Sequence, residues 1–148
     1  MKKFTSQSLT DTSTIAQEIL SYATTSPRQE GATVLALTGD LGAGKTAFTK
    51  LFAEHLGITE TLVSPTFVIA KFYEIKKEAF PWKRLVHIDA YRLESWEELR
   101  TLKFDEVFQD PQNIIVIEWP EQVSDVDQTS WQHITFELGS EDRVITLK

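Results

Sequence analysis

Residues 39–46 read GDLGAGKT, and this stretch decides the fold. It follows the apolar run VLALT (34–38) and precedes AFTKLFAEHLG (47–57), in which apolar residues recur at helical spacing. The eight residues match the pattern G-x-x-x-x-G-K-[ST] in full. A glycine-rich turn between a buried strand and a helix is typical of a phosphate-binding loop. A turn that merely joins strand to helix is the alternative, and the complete motif in this context disfavours it.

The residue types in this loop suit a phosphate group. Gly39, Gly42 and Gly44 let backbone N–H groups approach the anion without Cβ atoms in the way. The helix that begins near Lys45 directs its positive end at the loop. The Lys45 ammonium can reach β- and γ-phosphates, and the Thr46 hydroxyl can bind Mg²⁺. The predicted nucleotide-binding residues of this segment are Gly39, Asp40, Leu41, Gly42, Ala43, Gly44, Lys45, Thr46 and Ala47.

Two acidic residues end apolar strand patterns. Asp89 follows RLVHI (84–88), and Glu118 follows IIVI (114–117). In an open α/β sheet the carboxyl ends of the strands face the ligand crevice, so both carboxylates are predicted to lie near the phosphates. There they would hold Mg²⁺ or position a nucleophile. A solvated carboxylate at a strand end is the alternative for each. His87 shares a strand face with Asp89 and is interpreted as structural.

Two further features leave alternatives open. Ser64-Pro65-Thr66-Phe67 (SPTF) lies between two predicted strands, where its hydroxyls could sense a γ-phosphate as switch loops do. A plain proline turn explains the same residues equally well. Trp119, directly after Glu118, either stacks on a base or belongs to the core.

Composition limits the function classes. The 148 residues predict one domain, spanning 1–148. The absence of cysteine excludes disulfides and thiolate metal sites. A net charge of −7 with only five arginines disfavours direct binding to DNA or RNA. No apolar window reaches the length of a membrane span, and the basic start MKKF runs into polar residues without a signal core. We therefore expect a cytoplasmic protein with no membrane or DNA partner.

The order of apolar strands and helices predicts an α/β fold of the P-loop NTPase type. Its sheet is expected to be mainly parallel, flanked by helices, with antiparallel additions at the ends. Asp11 is the predicted N-cap of the first helix, and Gly57 the predicted end of the P-loop helix. Ser95 and Glu98 have capping-box spacing at a short helix. The other predicted elements are an edge strand in 2–9, strands at 61–63 and 67–75, and a C-terminal hairpin from 131–138 and 143–148.

Five motifs, in this order and at these spacings, resemble the TsaE family, also called YjeE. They are GDLGAGKT (39–46), SPTF (64–67), HIDAYRL (87–93), EEL (97–99) and IEWPE (117–121). The resemblance covers about residues 8–122, most of the chain. The P-loop alone is shared by many families, whereas the combination of SPTF, H-x-D-x-YR and EWPE is much more specific.

The resemblance implies a protein that binds ATP and Mg²⁺, hydrolyses ATP slowly alone and supports tRNA threonylcarbamoyladenosine synthesis. It would act on a TsaD–TsaB assembly and meet tRNA only through that complex. Lys45 and Thr46 match the family's phosphate and Mg²⁺ residues, and Thr66 its switch-like threonine. Asp89 matches a carboxylate on the Mg²⁺ side, Glu118 an acid with a role in hydrolysis, and Trp119 a residue beside the nucleotide. The expected catalytic residues are Glu118, Asp89 and Thr66, and the expected Mg²⁺ ligands are Thr46, Asp89 and Glu118.

The chain also departs from the family pattern. Ala47 stands where many relatives have threonine, and LKFDE (102–106) stands where a glycine is usual. The stretch VSDVDQTSW (123–131) lacks a proline that many relatives carry. A small-molecule P-loop kinase stays open as an alternative, although it needs a second substrate pocket and usually an arginine-bearing lid. A nucleotide-gated binding module without hydrolysis is the other alternative, whereas a GTPase is disfavoured because no N-K-x-D motif is present.

Overall fold

The computed structural model describes residues 1–26, 30–63, 65 and 68–148. Strands and helices alternate along most of the chain. In chain order the elements are β1 (Lys2–Ser6), α1 (Leu9–Thr25), β2 (Thr33–Gly39), α2 (Lys45–His55), β3 (Ala70–Glu74), β4 (Arg84–Asp89), α3 (Trp96–Thr101), α4 (Phe104–Gln109), β5 (Asn113–Glu118), a 3-10 helix (Pro120–Val123), β6 (Gln132–Leu138) and β7 (Arg143–Leu147).

The described strands form one seven-stranded sheet in the order β1-β7-β6-β2-β5-β4-β3. The four inner strands β6, β2, β5 and β4 run parallel to one another. β3 joins one edge antiparallel to β4, and β7 and β1 add antiparallel strands at the other. The predicted α/β fold, with a mainly parallel sheet and antiparallel ends, is confirmed. β2, which carries the P-loop, lies near the middle of the sheet.

Both faces of the sheet are covered, which explains the continuous apolar strand sequences. β5 is buried along its whole length. Helices α1 and α2 pack on one face, around Ile19, Phe48 and Phe52. The other face is covered by α3 and α4 with Leu99 and Trp131. Each large apolar side chain that is fully buried contributes about 1.5–3 kcal/mol to folding, so these two layers hold the strand ends in fixed positions.

The start of α1 corrects the prediction of Asp11 as the N-cap. Ser8 is the N-cap, and its hydroxyl accepts a hydrogen bond from the Asp11 N–H at 3.1 Å. The Asp11 carboxylate accepts in turn from the Gln7 N–H at 2.9 Å. Asp11 is therefore the third residue of the helix, and it acts as the reciprocal partner in a capping-box arrangement. At the far end of α2, Gly57 adopts φ of 83°, as expected of a glycine that ends a helix.

The region between α2 and β4 contains less strand than the sequence predicts. Residues 61–63 are not a strand, and β3 begins only at Ala70. The reason is pairing: the ladder from Ala70–Ile88 to Glu74–Arg84 uses nearly all of β4, and a strand needs a partner to form. Ser64, Thr66 and Phe67, which belong to the predicted switch segment, lie outside the described residues.

The segment after α3 contains a helix that the sequence analysis missed. Ser95 is the N-cap of α3 but makes no side-chain cap. The Glu98 carboxylate accepts from the Glu94 N–H at 2.7 Å, so the predicted capping box is not formed. α4 then begins after Lys103, whose φ of 66° is left-handed. This residue lies in LKFDE, the stretch in which the family resemblance leads one to expect a glycine. No helix within 1–26, 30–63 and 68–148 has both the length and the apolar character needed to cross a bilayer.

Candidate nucleotide-binding site

The P-loop connects the end of β2 to the start of α2. Gly42 and Gly44 have φ of 80° and 105°, which side chains rarely adopt. Gly39 is required for a different reason. A Cβ at this position would lie 2.6 Å from the backbone oxygen of Phe136 on the neighbouring strand β6. The packing of the sheet therefore fixes the first glycine of the motif, and the turn itself fixes the other two.

A pocket of about 270 Å³ opens beside this turn. Its lining brings together the loop, both strand-end acids and the tryptophan that the sequence analysis singled out. Three other predicted residues lie in the same turn without lining the pocket: Gly39 ends β2, Asp40 is exposed, and Ala43 is buried. The lining residues are Leu41, Gly42, Gly44, Lys45, Thr46, Ala47, Asp89, Glu118 and Trp119.

The register of the parallel strands explains why the two acids meet. Asp89 on β4 pairs with Glu118 on β5, and Glu118 pairs with Leu37 on β2. The two carboxylates therefore lie side by side at the carboxyl edge of the sheet, next to the strand that leads into the P-loop. Asp89 is partly exposed, whereas Glu118 is only 4% exposed.

A buried histidine contacts the Glu118 carboxylate. His87 is completely buried, and its Nε2 lies 2.6 Å from Glu118 Oε2. Within the described part of the chain, His87 Nδ1 has no hydrogen-bond partner. The imidazole therefore makes its polar contact through Nε2 alone, so it fixes one carboxylate oxygen of Glu118. From its sequence position alone, His87 is interpreted only as structural.

The Lys45 side chain lies inside the site, between the Gly39 backbone oxygen and the Trp119 ring. It is 5% exposed, and burial lowers the pKa of its ammonium, although the negative charges of Glu118, Glu121 and Asp89 oppose that shift. Its Nζ donates a hydrogen bond to the Gly39 backbone oxygen and lies 3.7 Å from the centre of the Trp119 ring. A cation so placed gains a cation–π contact. Among the described residues its acceptor is the Gly39 oxygen, and a phosphate would supply further acceptors.

The Asp89 carboxylate has an unusually high proton affinity. Burial raises its pKa, and the nearby charge of Glu118 acts in the same direction. A hydrogen bond from the Tyr91 N–H at 3.0 Å and the positive charge of Lys45 oppose this shift. A cation bound beside Asp89 would relieve the cost of burying its charge.

Trp119 forms one wall of the pocket. Its φ of 59° turns the chain sharply after β5. Its backbone N–H donates a hydrogen bond to the Leu37 backbone oxygen at 3.3 Å. The Tyr91 ring packs against it, with ring centroids 5.1 Å apart. Trp119 is partly buried against the core while its ring faces Lys45 and lines the pocket, so its packing is shown and stacking on a base stays a prediction. Tyr91 was not among the predicted site residues.

The oxygen donors at this edge fit Mg²⁺. Thr46, Asp89 and Glu118 offer a hydroxyl and two carboxylates, all hard ligands. Among the described residues no group of three or more His, Cys, Asp or Glu side chains could enclose a metal ion. Mg²⁺ is commonly held by one or two carboxylates together with water and substrate phosphates, so such a partial donor set suits it. Thr66, the third predicted catalytic residue, lies outside the described residues.

Comparison with known proteins supports the resemblance. The sequence model of a family described as "Threonylcarbamoyl adenosine biosynthesis protein TsaE" matches residues 6–145. This chain belongs to the TsaE family. A TsaE protein of Bacillus subtilis is 43% identical over 114 residues, which cover 76% of this chain and 67% of that protein. A TsaE protein of Borreliella burgdorferi is 36% identical over 115 residues, covering 77% of this chain and 80% of the relative.

A comparison of three-dimensional structures agrees with the TsaE assignment. The crystal structure of YdiB from Bacillus subtilis superposes with a TM-score of 0.73 at 32% sequence identity. The superposition covers 99% of this chain and 83% of YdiB. Fold and sequence therefore place the chain in the same family, one whose description names threonylcarbamoyl adenosine biosynthesis.

Proposed function

We propose that this protein binds and hydrolyses ATP in a Mg²⁺-dependent manner. We also propose that its ATP cycle supports tRNA N6-threonylcarbamoyladenosine modification by acting on a TsaD–TsaB assembly. The first part is supported by one observation: the P-loop, Lys45, Asp89 and Glu118 all line the same pocket. Family membership supports the second part, since the B. subtilis and B. burgdorferi relatives are described as tRNA threonylcarbamoyladenosine biosynthesis proteins.

In this proposal the phosphates of ATP occupy the loop at the start of α2. The backbone N–H groups of residues 42–47 bind the phosphate oxygens, helped by the helix dipole. The Lys45 ammonium exchanges its contact with the Gly39 oxygen for the β- and γ-phosphates. Thr46 and Asp89 would hold Mg²⁺, with Glu118 close by. Bound Mg²⁺ would neutralise charge that develops on the phosphate oxygens.

Glu118 is the proposed general base. Its Oε2 contacts His87, which leaves Oε1 to orient the attacking water and accept its proton. The water oxygen then bonds to the γ-phosphorus while the bond to the β–γ bridging oxygen breaks, releasing ADP and phosphate. Thr66 is proposed to close toward the γ-phosphate. Slow hydrolysis by the protein alone would follow if a partner has to complete the site.

The kinase alternative fits the geometry less well. The chain does contain a larger cleft, about 880 Å³, lined by residues of 72–84. It borders Arg84 at the start of β4, whereas Asp89 lies at the other end of that strand. Five residue steps of strand span about 17 Å, too far for an acceptor in this cleft to reach the γ-phosphate.

The proposal is tested by measuring phosphate release from ATP, first with this protein alone and then with purified TsaD, TsaB and tRNA from the same organism. Slow release that rises when the partners are added is the expected result. A rate of phosphate release that does not change when the partners are added would contradict the proposed role in the TsaD–TsaB assembly. It would leave the ATPase proposal intact. We propose a cytoplasmic location, in keeping with a tRNA-modification role.

A further inference from the structure

Arg143 reaches the P-loop from the far end of the chain. It is the first residue of β7, where it pairs with Leu138 of β6. β6 runs parallel to β2, with Gly39 opposite Phe136, and β7 runs antiparallel to β6. The start of β7 therefore lies at the same edge of the sheet as the end of β2. This topology brings Arg143 to the side of the nucleotide pocket.

The Arg143 side chain packs directly against Gly44, the N-cap residue of α2. A Cβ atom added to Gly44 would lie 3.2 Å from Arg143 Cδ, 3.4 Å from Nε and 3.7 Å from Cζ. The stem and the guanidinium therefore run past the backbone of the residue that precedes Lys45. Arg143 does not line the 270 Å³ pocket itself, but Gly44 does, and the guanidinium lies directly against Gly44.

Among the described residues, no hydrogen bond or ion pair involves the Arg143 guanidinium. Arg143 Nε is buried and has no hydrogen-bond partner among the residues that the structure describes. No ion pair within 4.0 Å joins Arg143 to any described carboxylate, including those of its own turn, Glu141 and Asp142. A buried guanidinium N–H without an acceptor costs free energy, and a bound anion would recover it.

We propose that Arg143 binds the phosphate chain of the nucleotide from the side of the C-terminal hairpin. This inference rests on the proposed ATP site. β2 separates Arg143 from Glu118 and Asp89, which lie on the β5 and β4 side of the loop. Arg143 therefore contributes to the affinity for the α- and β-phosphates and leaves the hydrolytic step to the acids.

Calorimetric titration of Arg143 variants with Mg·ATP, Mg·ADP and tripolyphosphate tests this inference. Arg143→Met keeps the packing against Gly44 and removes the charge, Arg143→Lys restores a cation, and Arg100→Met is the control. Arg100 is an exposed arginine on α3, paired with Glu97. Melting curves without ligand verify that all variants fold.

We expect Arg143→Met to weaken the binding of ATP, ADP and tripolyphosphate by a similar factor, about tenfold. A loss of this size is typical for one charge-assisted hydrogen bond. Arg143→Lys should recover part of the loss, and Arg100→Met should match the wild type. Unchanged affinities in Arg143→Met, or a loss for ATP and ADP but not for tripolyphosphate, would overturn phosphate binding by Arg143. If the wild type binds neither nucleotide, the proposed ATP site itself fails, and this inference falls with it.

Discussion

His87 Nε2 lies 2.6 Å from Glu118 Oε2, and the two side chains are 0% and 4% exposed. His87 and Glu118 come from neighbouring parallel strands, with Glu118 in register with Asp89, two residues beyond His87. The contact with His87 holds Oε2 of Glu118 in place. Because the two oxygens belong to one planar carboxylate, the position of Oε1 is restricted as well. In the proposed mechanism, this pair determines where Glu118 meets the attacking water.

Replacing His87 should slow hydrolysis without weakening ATP binding. His87→Leu removes the donor to Glu118, and we expect a rate loss of about 10- to 100-fold, as for other residues that orient a site ligand. His87→Gln keeps an N–H at similar reach and should recover most of the rate. Single-turnover hydrolysis and ATP affinity are measured for both variants. A purely structural His87 would give equal losses of rate and affinity, and no recovery with glutamine.

Lys45→Ala should abolish tight ATP binding. The ammonium lies 3.7 Å from the Trp119 ring centre and has few acceptors, so phosphate oxygens are its natural partners. Charge-assisted hydrogen bonds to two phosphates correspond to an affinity loss of at least about tenfold each. Calorimetry with Mg·ATP measures the effect. An affinity equal to that of the wild type would refute the phosphate assignment of the loop.

Asp89→Asn should raise the thermal stability of the ligand-free protein at neutral pH. Burial raises the pKa of Asp89 in the fold above its unfolded value, which is about 3.9. The fold therefore favours the protonated carboxyl, and this contribution to stability is lost as pH rises through the folded-state pKa. Asparagine carries no charge at any pH and keeps an acceptor for the Tyr91 N–H.

The advantage of Asp89→Asn should therefore be present at pH 7 and shrink toward pH 4. Melting temperatures of both proteins across this range measure it. Mg·ATP should reverse the order, because only the wild type has the Asp89 carboxylate that is proposed to hold Mg²⁺. A variant that is less stable than the wild type at pH 7 without ligand would contradict the argument from burial.

Lys103→Gly should stabilise the fold. Lys103 has φ of 66°, a conformation that costs a residue with Cβ roughly 1–2 kcal/mol, while glycine loses about 0.5–1 kcal/mol more backbone entropy on folding. The net gain in the free energy of unfolding should be about 0.5–1 kcal/mol. Urea denaturation measures it, with Lys103→Ala as the control that retains Cβ. Equal stability of the glycine and alanine variants would contradict the proposed strain.

Much of the fold follows from the sequence because the relevant signals are local. Continuous apolar runs predict β2, β4 and β5, since strands buried on both faces need no polar alternation. The extent of β3 and the start of α4 are not local properties. β3 stops where β4 offers no further partner, and α4 begins after a lysine in a glycine-like conformation.

In the candidate site, too, some features are predictable from local sequence and others depend on the arrangement of the strands. The P-loop glycines, Lys45 and Thr46 belong to one motif, and the strand-end position of Asp89 and Glu118 is readable from the pattern. The contact of His87 with Glu118 depends on the register between β4 and β5, and the contact of Arg143 with Gly44 depends on the order of the strands. Neither contact leaves a signal in the neighbouring residues, so both required the structure.

The most direct test of the central claim is single-turnover phosphate release from Mg·ATP by the wild type and by Glu118→Gln. Glutamine fills the same space and still accepts from His87, but it cannot take a proton from water. Glu118→Gln should bind Mg·ATP as tightly as the wild type and release phosphate about 10²- to 10⁴-fold more slowly, the usual contribution of a general base. Equal rates of release by the two proteins would contradict the assignment of Glu118 as the base of an ATP-hydrolysing site.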